Sequence, residues 1–519
     1  MQIELTGEGE YGTAGGSSDF GGKHITAFQS VCLLLNNVTG AAMVLYPVLF
    51  QTAGWVAPIV CMVAVAVLAG ISSICLVKTM QLIPGNECYQ QRFEFTNVAK
   101  HFLSDGQFKV VFLLFIVSLL SSAIPLIIQS AQIMDFMLVA IFGETCGLQF
   151  TPGVQWVCTS NSASDVAPFS ADIVILSIGV VAIAALCIPV GYLNLDDNMN
   201  IQVGATLSMV AILSIWFVFF STLGLDAVNM PAFGTDYSRI LGIVVFNYCF
   251  VTAVPSWINE KSPSVSIPRS IAQALTGATL IFASLGAIGA LAYASFPDST
   301  DLLDKLNQSG NMLMRVTYFV FPAIVNLTSI PIFSIVIKYN FLSNQVVSKP
   351  VANFVAVVLP WLLAVPFYTG AGFNTIVTWT GVFVSGIVNF VVPLYMYVVA
   401  IRKYGNECGY FAPLLSSSEY HACASSDAID VSIAAASESV YADLSDSSLE
   451  PVADDFVDPL YAISSNNRFS DVGCTCGLER DRCCDRISWA WCIIACFTLL
   501  LLATVGVDVY YLAIGHSLH

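Results

Sequence analysis

About eleven stretches of roughly twenty apolar residues follow one another along this chain, near 26–50, 56–80, 109–136, 171–193, 199–224, 238–258, 269–296, 312–337, 350–368, 374–400 and 487–514. A helix of that length matches the hydrocarbon thickness of a bilayer, and inside a bilayer only helices or closed barrels satisfy their own backbone. The expected fold class is therefore an all-α polytopic membrane protein with about eleven transmembrane helices. Composition agrees, since only 10% of the 519 residues are charged, where soluble domains carry about 25%. Residues 1–22 are rich in Gly, Glu and Ser and lack an apolar core, so they hold no cleavable signal peptide and the first span serves as the insertion signal.

Basic residues orient the spans. With the N-terminus in the cytosol, all but three of the 18 Lys and Arg fall on the inner side, the exceptions being Arg239, Lys305 and Arg315. Eleven spans then place His519 outside. The expected outer loop from Phe142 to Ala171 has no basic residue and carries Cys146 and Cys158, which either form a disulfide in an oxidising compartment or remain two thiols. A glycosylation sequon at Asn307-Gln-Ser309 falls in another outer loop and is a weak signal.

The net charge of −17 belongs mostly to two soluble segments, because 1–22 and 404–467 are acidic and contain neither Lys nor Arg. The expected organisation is a disordered cytosolic tail (1–22), a core of ten spans (23–402), a disordered acidic cytosolic insertion (403–486), and an eleventh span with a short outer C-terminus (487–519). Within the insertion, Tyr441-Ala-Asp-Leu444 fits a sorting pattern read by trafficking adaptors, although so short a pattern also arises by chance. Cys474, Cys476, Cys483 and Cys484 lie just before the last span, where they are either palmitoylated or unmodified; their spacing is unlike paired zinc knuckles.

No phosphate loop, HExxH or nucleophile elbow appears, so the chain shows no machinery for catalysis and is not read as an enzyme; nothing in it calls for nucleic acid or a cofactor. Charge inside a membrane usually marks function, but Asp135, Asp226 and Asp508 lie near span ends and read as solvated interfacial acids. Two polar interruptions stand out instead. The first is NNVTGAAMVLYPVLFQTAGW, beginning at Asn36; the second is FNYCFVTAVPSWINEKS, beginning at Phe246 in the sixth span. Broken helix is tolerated at membrane depth only where protein buries it or it lines a wet cavity. Its free N–H groups suit a carboxylate and its free carbonyls suit an ammonium or a cation, so the two ends together match a zwitterion. Each break read alone is equally a kinked packing helix with small residues at a contact. Their recurrence as the first members of spans 1–5 and 6–10 points to a transporter binding site.

The stretch with Gly40, Leu45, Pro47, Phe50, Gly54 and Trp55 resembles the first-span signature of the amino acid/auxin permease family, within the amino acid–polyamine–organocation superfamily. Phe246, Tyr248, Pro255 and Glu260 resemble that family's sixth span, with the interval from Pro to acid one residue longer than the commonest form, and IPRSIAQAL from Ile267 looks like the start of its seventh. The likeness covers about residues 25–400 and the last span. It implies a five-plus-five inverted repeat of the leucine-transporter type with discontinuous helices 1 and 6, and secondary active transport of amino acids by alternating access. In that frame Thr39, Gly40 and Ala41 offer backbone N–H groups to the substrate carboxylate. Phe246, Asn247 and Tyr248 offer carbonyls and an aromatic wall, with Thr252 close by. Some members hold sodium between an Asn of the first span and hydroxyls of the eighth, which here would be Asn36 with Thr328 and Ser329; those two hydroxyls equally bond their own helix. Others use protons, for which Glu260 is the candidate, so the coupling ion stays open between sodium and proton. No charged residue in the two interruptions is placed to pair with an ionised substrate side chain, since Glu260 and Lys261 lie at the far end of the second, which favours neutral amino acids. An amino acid-sensing receptor signalling through the acidic insertion is the rival function; a channel would need charged rings or a filter loop. Plasma membrane, vacuole and lysosome all fit the charge pattern.

Overall fold

The computed structural model describes residues 20–160, 168–170, 173–296, 302–369, 381–404, 487–495 and 497–498. Its helices in chain order are α1 (Ala27–Val38), α2 (Tyr46–Thr52), α3 (Val56–Gln81), α4 (Phe95–Phe102), α5 (Asp105–Phe142), α6 (Ile178–Gly191), α7 (Met199–Leu223), α8 (Ile240–Asn247), α9 (Val254–Glu260), α10 (Ile267–Ala292), α11 (Leu302–Gln308), α12 (Met312–Asn344), α13 (Lys349–Asn353), α14 (Leu359–Ala364) and α15 (Val392–Tyr404). Among the described residues, eight helical stretches are long and apolar enough to cross a membrane: α3, α5, α7, Ile240–Glu260, α10, α12, Lys349–Phe367 and Phe383–Tyr404. The pair Ala27–Val38 and Ala42–Thr52 passes the same test as one span bent by 55°, and α6 is a shorter apolar helix. The acidic insertion, its cysteines, Tyr441–Leu444, Asp508 and most of the last expected span lie outside the described residues.

Local chemistry sets the boundaries. Thr26 caps α1 in a reciprocal box with Gln29. Ser104 and Gln107 form another box, and Gly143 closes α5 in the left-handed region at φ 86°. These caps make the third span longer than the expected 109–136. The expected span at 171–193 begins instead with a strand, β3 (Val174–Ser177), which pairs with the outer hairpin of β1 (Thr145–Thr151) and β2 (Gln155–Thr159) in the order β2-β1-β3. Cys146 and Cys158 face each other in the β1–β2 register and form a disulfide.

Val60, Val63 and Val67 are exposed along one stripe of α3, the face a membrane helix turns to lipid. Apolar burial gains little inside a bilayer, so close packing and buried polar contacts hold such bundles together. Here α5 packs on α12 and α6, while α10 packs on α1, α2 and α3.

The broken spans run antiparallel and are fastened at both ends. At one end Ile25 donates to the Glu260 carbonyl at 3.1 Å and accepts from Ser262 N at 2.9 Å. At the other, Gly234 N donates to the Ala53 carbonyl and Thr235 N to the Thr52 carbonyl, each at 2.9 Å. The first end is the one expected to face the cytosol, and it gathers Lys23, Arg92, Lys261 and Lys338. The tail boundary at residue 22 shifts slightly, because Gly21 and Gly22 are hydrogen-bonded into this end rather than free of it.

Candidate functional site

The first break is a change of helix type. At the end of α1, Thr39 donates to the Leu35 carbonyl from its amide at 2.7 Å and from its hydroxyl at 2.8 Å. Gly40 N turns back on the Val38 carbonyl at 3.0 Å, and Gly40 is extended (φ −77°, ψ 172°). The chain then re-enters a 3₁₀ turn, Ala41–Leu45, whose first bond runs from Met43 N to the Gly40 carbonyl at 3.1 Å. The amides of Thr39 and Gly40 are therefore already spent. Those that the new turn leaves without an intrahelical acceptor belong to Ala41 and Ala42, so the expected donor set moves along the chain.

The second break lies opposite. Between α8 and α9 the chain passes through Tyr248–Phe250 and a single 3₁₀ turn, Val251–Ala253. A side chain placed on Gly40 would meet only Asn247 Oδ1, at 3.8 Å from its Cβ. Asn247 spends its amide on the Ile243 carbonyl at 2.8 Å, which leaves Oδ1 buried without a hydrogen-bond partner. The hydroxyl of Tyr46, close to Asn247, is buried and unpartnered as well. Buried polar atoms are nearly always satisfied, and each one left alone costs about 1–3 kcal/mol. Asn247 Oδ1 beside Gly40 and the Tyr46 hydroxyl beside Asn247 are therefore free to bond each other or a hydrogen-bonding guest.

An aromatic wall stands next to them. Phe282 of α10 stacks on Tyr46 with centroids 4.8 Å apart and meets Tyr248 edge-on at 5.8 Å. Tyr248 Oη and Thr279 Oγ1 are 2.6 Å apart. Gly40, Asn247 and Tyr248 thus converge, and Phe246 is half-buried beside them. Thr252 is buried, and its amide donates to Asn389 Oδ1 of the tenth span at 3.1 Å. Sequence reasoning missed Tyr46, Thr279, Phe282 and Asn389. A lone Asn inside the apolar run VSGIVNFVV was a legible signal for the last of these.

The residues expected to hold an ion are hydrogen-bonded through the chain itself. Asn36 Nδ2 donates to Gln202 Oε1 at 2.8 Å and to the Gln202 carbonyl at 2.9 Å, while Asn36 Oδ1 accepts from the Thr206 hydroxyl at 2.8 Å. Gln202 Nε2 in turn donates to the Thr328 carbonyl at 3.2 Å. The hydroxyls of Thr328 and Ser329 both donate to the Val325 carbonyl of their own helix, at 2.7 and 3.1 Å. The structure therefore brings the first and eighth spans together through the Gln202 carboxamide of α7. A cation there would have to displace the Gln202 amide. Gln202 and Thr206 sit one helical turn apart, and only their polarity on an apolar helix hinted at a role.

Glu260, the candidate proton group, is fully buried and ion-paired with Arg92 at 3.2 Å. Its other oxygen accepts from Asp196 N at 2.9 Å, and Gly21 N donates to the paired oxygen at 3.1 Å. Arg92 also holds the Gly21 carbonyl at 2.7 Å. Glu260 thus closes one end of the bundle rather than facing the two breaks. Asp135, expected as a solvated acid, is fully buried: it accepts from the Thr145 hydroxyl at 2.6 Å, Gly179 N at 2.9 Å and the Tyr368 hydroxyl at 2.6 Å. The outer hairpin and the start of α6 cover it, which its position near a span end could not reveal. Asp226 does cap an exposed turn, accepting from Val228 N at 3.0 Å.

A search of curated proteins returns no match to the sequence. Among solved structures, the inward-facing conformation of Mhp1 aligns with TM-score 0.45 and 13% identity, over 76% of this chain and 80% of that one. MhsT in complex with L-phenylalanine aligns with TM-score 0.51 and 11% identity, over 78% of this chain and 92% of that one, a likeness of fold. The sequence profile of the family described as transmembrane amino acid transporter protein matches residues 23–410. That match spans most of the chain and both broken helices, and the chain belongs to the transmembrane amino acid transporter family.

Proposed function

We propose that this protein is a secondary active transporter of neutral amino acids, working by alternating access between two inverted five-span halves, with eleven spans and the N-terminus in the cytosol. The observation that carries the reading is the meeting of the two breaks at Gly40 and Asn247, with two buried, unpartnered polar atoms beside them. The amides of Ala41 and Ala42 suit a carboxylate, Asn247 Oδ1 and the last carbonyls of α8 suit an ammonium, and Phe282 with Tyr248 walls an apolar side chain. MhsT, of like fold, was solved with L-phenylalanine, a guest of this kind. For coupling, the Gln202 amide on the Thr328 carbonyl favours protons over sodium. Uptake of each of the twenty amino acids into proteoliposomes, with sodium and pH gradients varied separately, tests the reading. Accumulation of neutral amino acids under a proton gradient supports it; binding without accumulation under any gradient overturns it in favour of a sensor.

A further inference from the structure

Glu94 is a buried carboxyl that the substrate site does not use. It caps the start of α4, in the connection between α3 and α5, with no solvent exposure. Its Oε2 is 2.5 Å from Ser256 Oγ, and its Oε1 accepts from Asn259 Nδ2 at 2.8 Å. Both partners lie on α9, the half of the sixth span on the expected cytosolic side. Asn259 further clips the backbone of Phe93, donating to its carbonyl at 3.1 Å and accepting from its amide at 3.3 Å. Glu94 is thus bolted across the seam that must part if this end is to open.

The charged and titratable groups around it do not supply a dedicated counterion. Arg92, on the same connection, commits its guanidinium to Glu260 and the Gly21 carbonyl. From α9, Glu260 repels a second negative charge, and from α12 the Tyr339 hydroxyl is the remaining titratable neighbour. We propose that Glu94 is a proton-binding latch: with its proton bound it holds the cytosolic end of the bundle closed, and loss of that proton to water releases α9. The inference rests on the alternating-access reading above. In the closed form the carboxyl O–H donates to Ser256 Oγ, and Oε1 keeps the Asn259 amide. On opening, the O–H bond breaks, the proton passes to a cytosolic water, and the carboxylate is hydrated instead of buried.

The direction follows from burial. Desolvation is the largest influence and pushes the Glu94 carboxyl up to about 7, against the pull of Ser256, Arg92 and Asn259, with Glu260 adding to the rise. Once hydrated in the open form it returns to the ordinary range near 4.3. The closed form therefore binds the proton more tightly. Its advantage is full at low pH and is lost as pH rises through about 7. Between about pH 6 and pH 8 the closed-to-open ratio should fall about tenfold.

Hydrogen–deuterium exchange on the purified full-length protein reads this without requiring transport. Amides of Val254–Glu260, corrected for intrinsic exchange rates, should lose about tenfold in protection from about pH 6 to pH 8. Glu94→Gln keeps both hydrogen bonds but cannot ionise, and should stay protected at both pH values. Ser256→Ala keeps the carboxyl and should retain a pH response with a displaced midpoint. Absence of any pH response in the unmodified protein overturns the latch, as does an undiminished response in Glu94→Gln. Failure of amino acid uptake with this exchange pattern intact would instead count against the transport reading alone.

Discussion

Substituting Gly40 separates a binding role from a folding role, because a side chain there would meet a neighbour on one side only. Its backbone angles, φ −77° and ψ 172°, are open to any L-residue, so the glycine is not required by conformation. A Cβ there would sit 3.8 Å from Asn247 Oδ1, an ordinary contact, with no other atom within 4 Å. Gly40→Ala should therefore fold as well as the unmodified chain, or gain about 0.4–1 kcal/mol from reduced freedom of the unfolded state. The added methyl occupies the space assigned to the substrate. Overfilling a packed site costs about 1–3 kcal/mol, which corresponds to about 5- to 150-fold in affinity. Gly40→Ala should raise the KM for uptake about tenfold at unchanged abundance, and Gly40→Leu should abolish uptake while the protein stays monodisperse. Gly234 is the control: a Cβ there would run into the Thr52 carbonyl and the Ala53 backbone, so Gly234→Ala should fail to fold. The assay pairs uptake kinetics with size-exclusion profiles and thermal melting of the same preparations. A Gly40→Leu variant with normal KM would refute the placement of substrate, and a Gly40→Ala variant that aggregates like Gly234→Ala would refute the packing argument.

Two further outcomes follow from the polar clusters. Replacing sodium with choline should leave uptake within about twofold of its value, whereas Gln202→Glu, which puts a carboxylate between Asn36 and Thr328, should make uptake rise with sodium; a sodium titration of both proteins decides. Arg92→Ala strips the partner from Glu260, whose side chain is 0% exposed while that of Arg92 is 25% exposed. After discounting for that exposure, it should cost about 2–3 kcal/mol and lower the melting temperature, and Arg92→Lys should recover only part of the loss.

The two breaks were legible because Asn, Thr, Gly and Pro inside apolar runs violate what a bilayer-spanning helix requires, and their repetition five spans apart multiplied the signal. What answers each break was not legible. Asn389, Phe282 and Gln202 come from spans that read as ordinary apolar helices, and a sequence pattern gives a helix's period without saying which neighbour its polar face meets. The shift of donors from Thr39 and Gly40 toward Ala41 and Ala42 is of another kind: helix ends are ambiguous by a residue or two until capping geometry is seen. Asp135 was misplaced because distance along the chain stood in for distance from water. A three-stranded outer sheet that hydropathy alone does not foresee closes over it.

The distribution of satisfied and unsatisfied polar groups itself fits a carrier better than a rigid receptor. At the end holding Glu94 and Glu260, each carboxyl oxygen has a hydrogen-bond partner, and each of those bonds is one that water can replace when the seam parts. Opening that end therefore exchanges hydrogen bonds rather than losing them, and the barrier stays small compared with separating an apolar contact. At the centre the position is reversed: Tyr46 Oη and Asn247 Oδ1 lack partners in a buried place. A substrate that supplies donors there recovers about 1–3 kcal/mol for each atom, and does so only while the two breaks face each other. On the proposed reading, binding energy is thus concentrated in the state in which both ends are fastened. That is the condition under which a guest draws the halves together before either end is released.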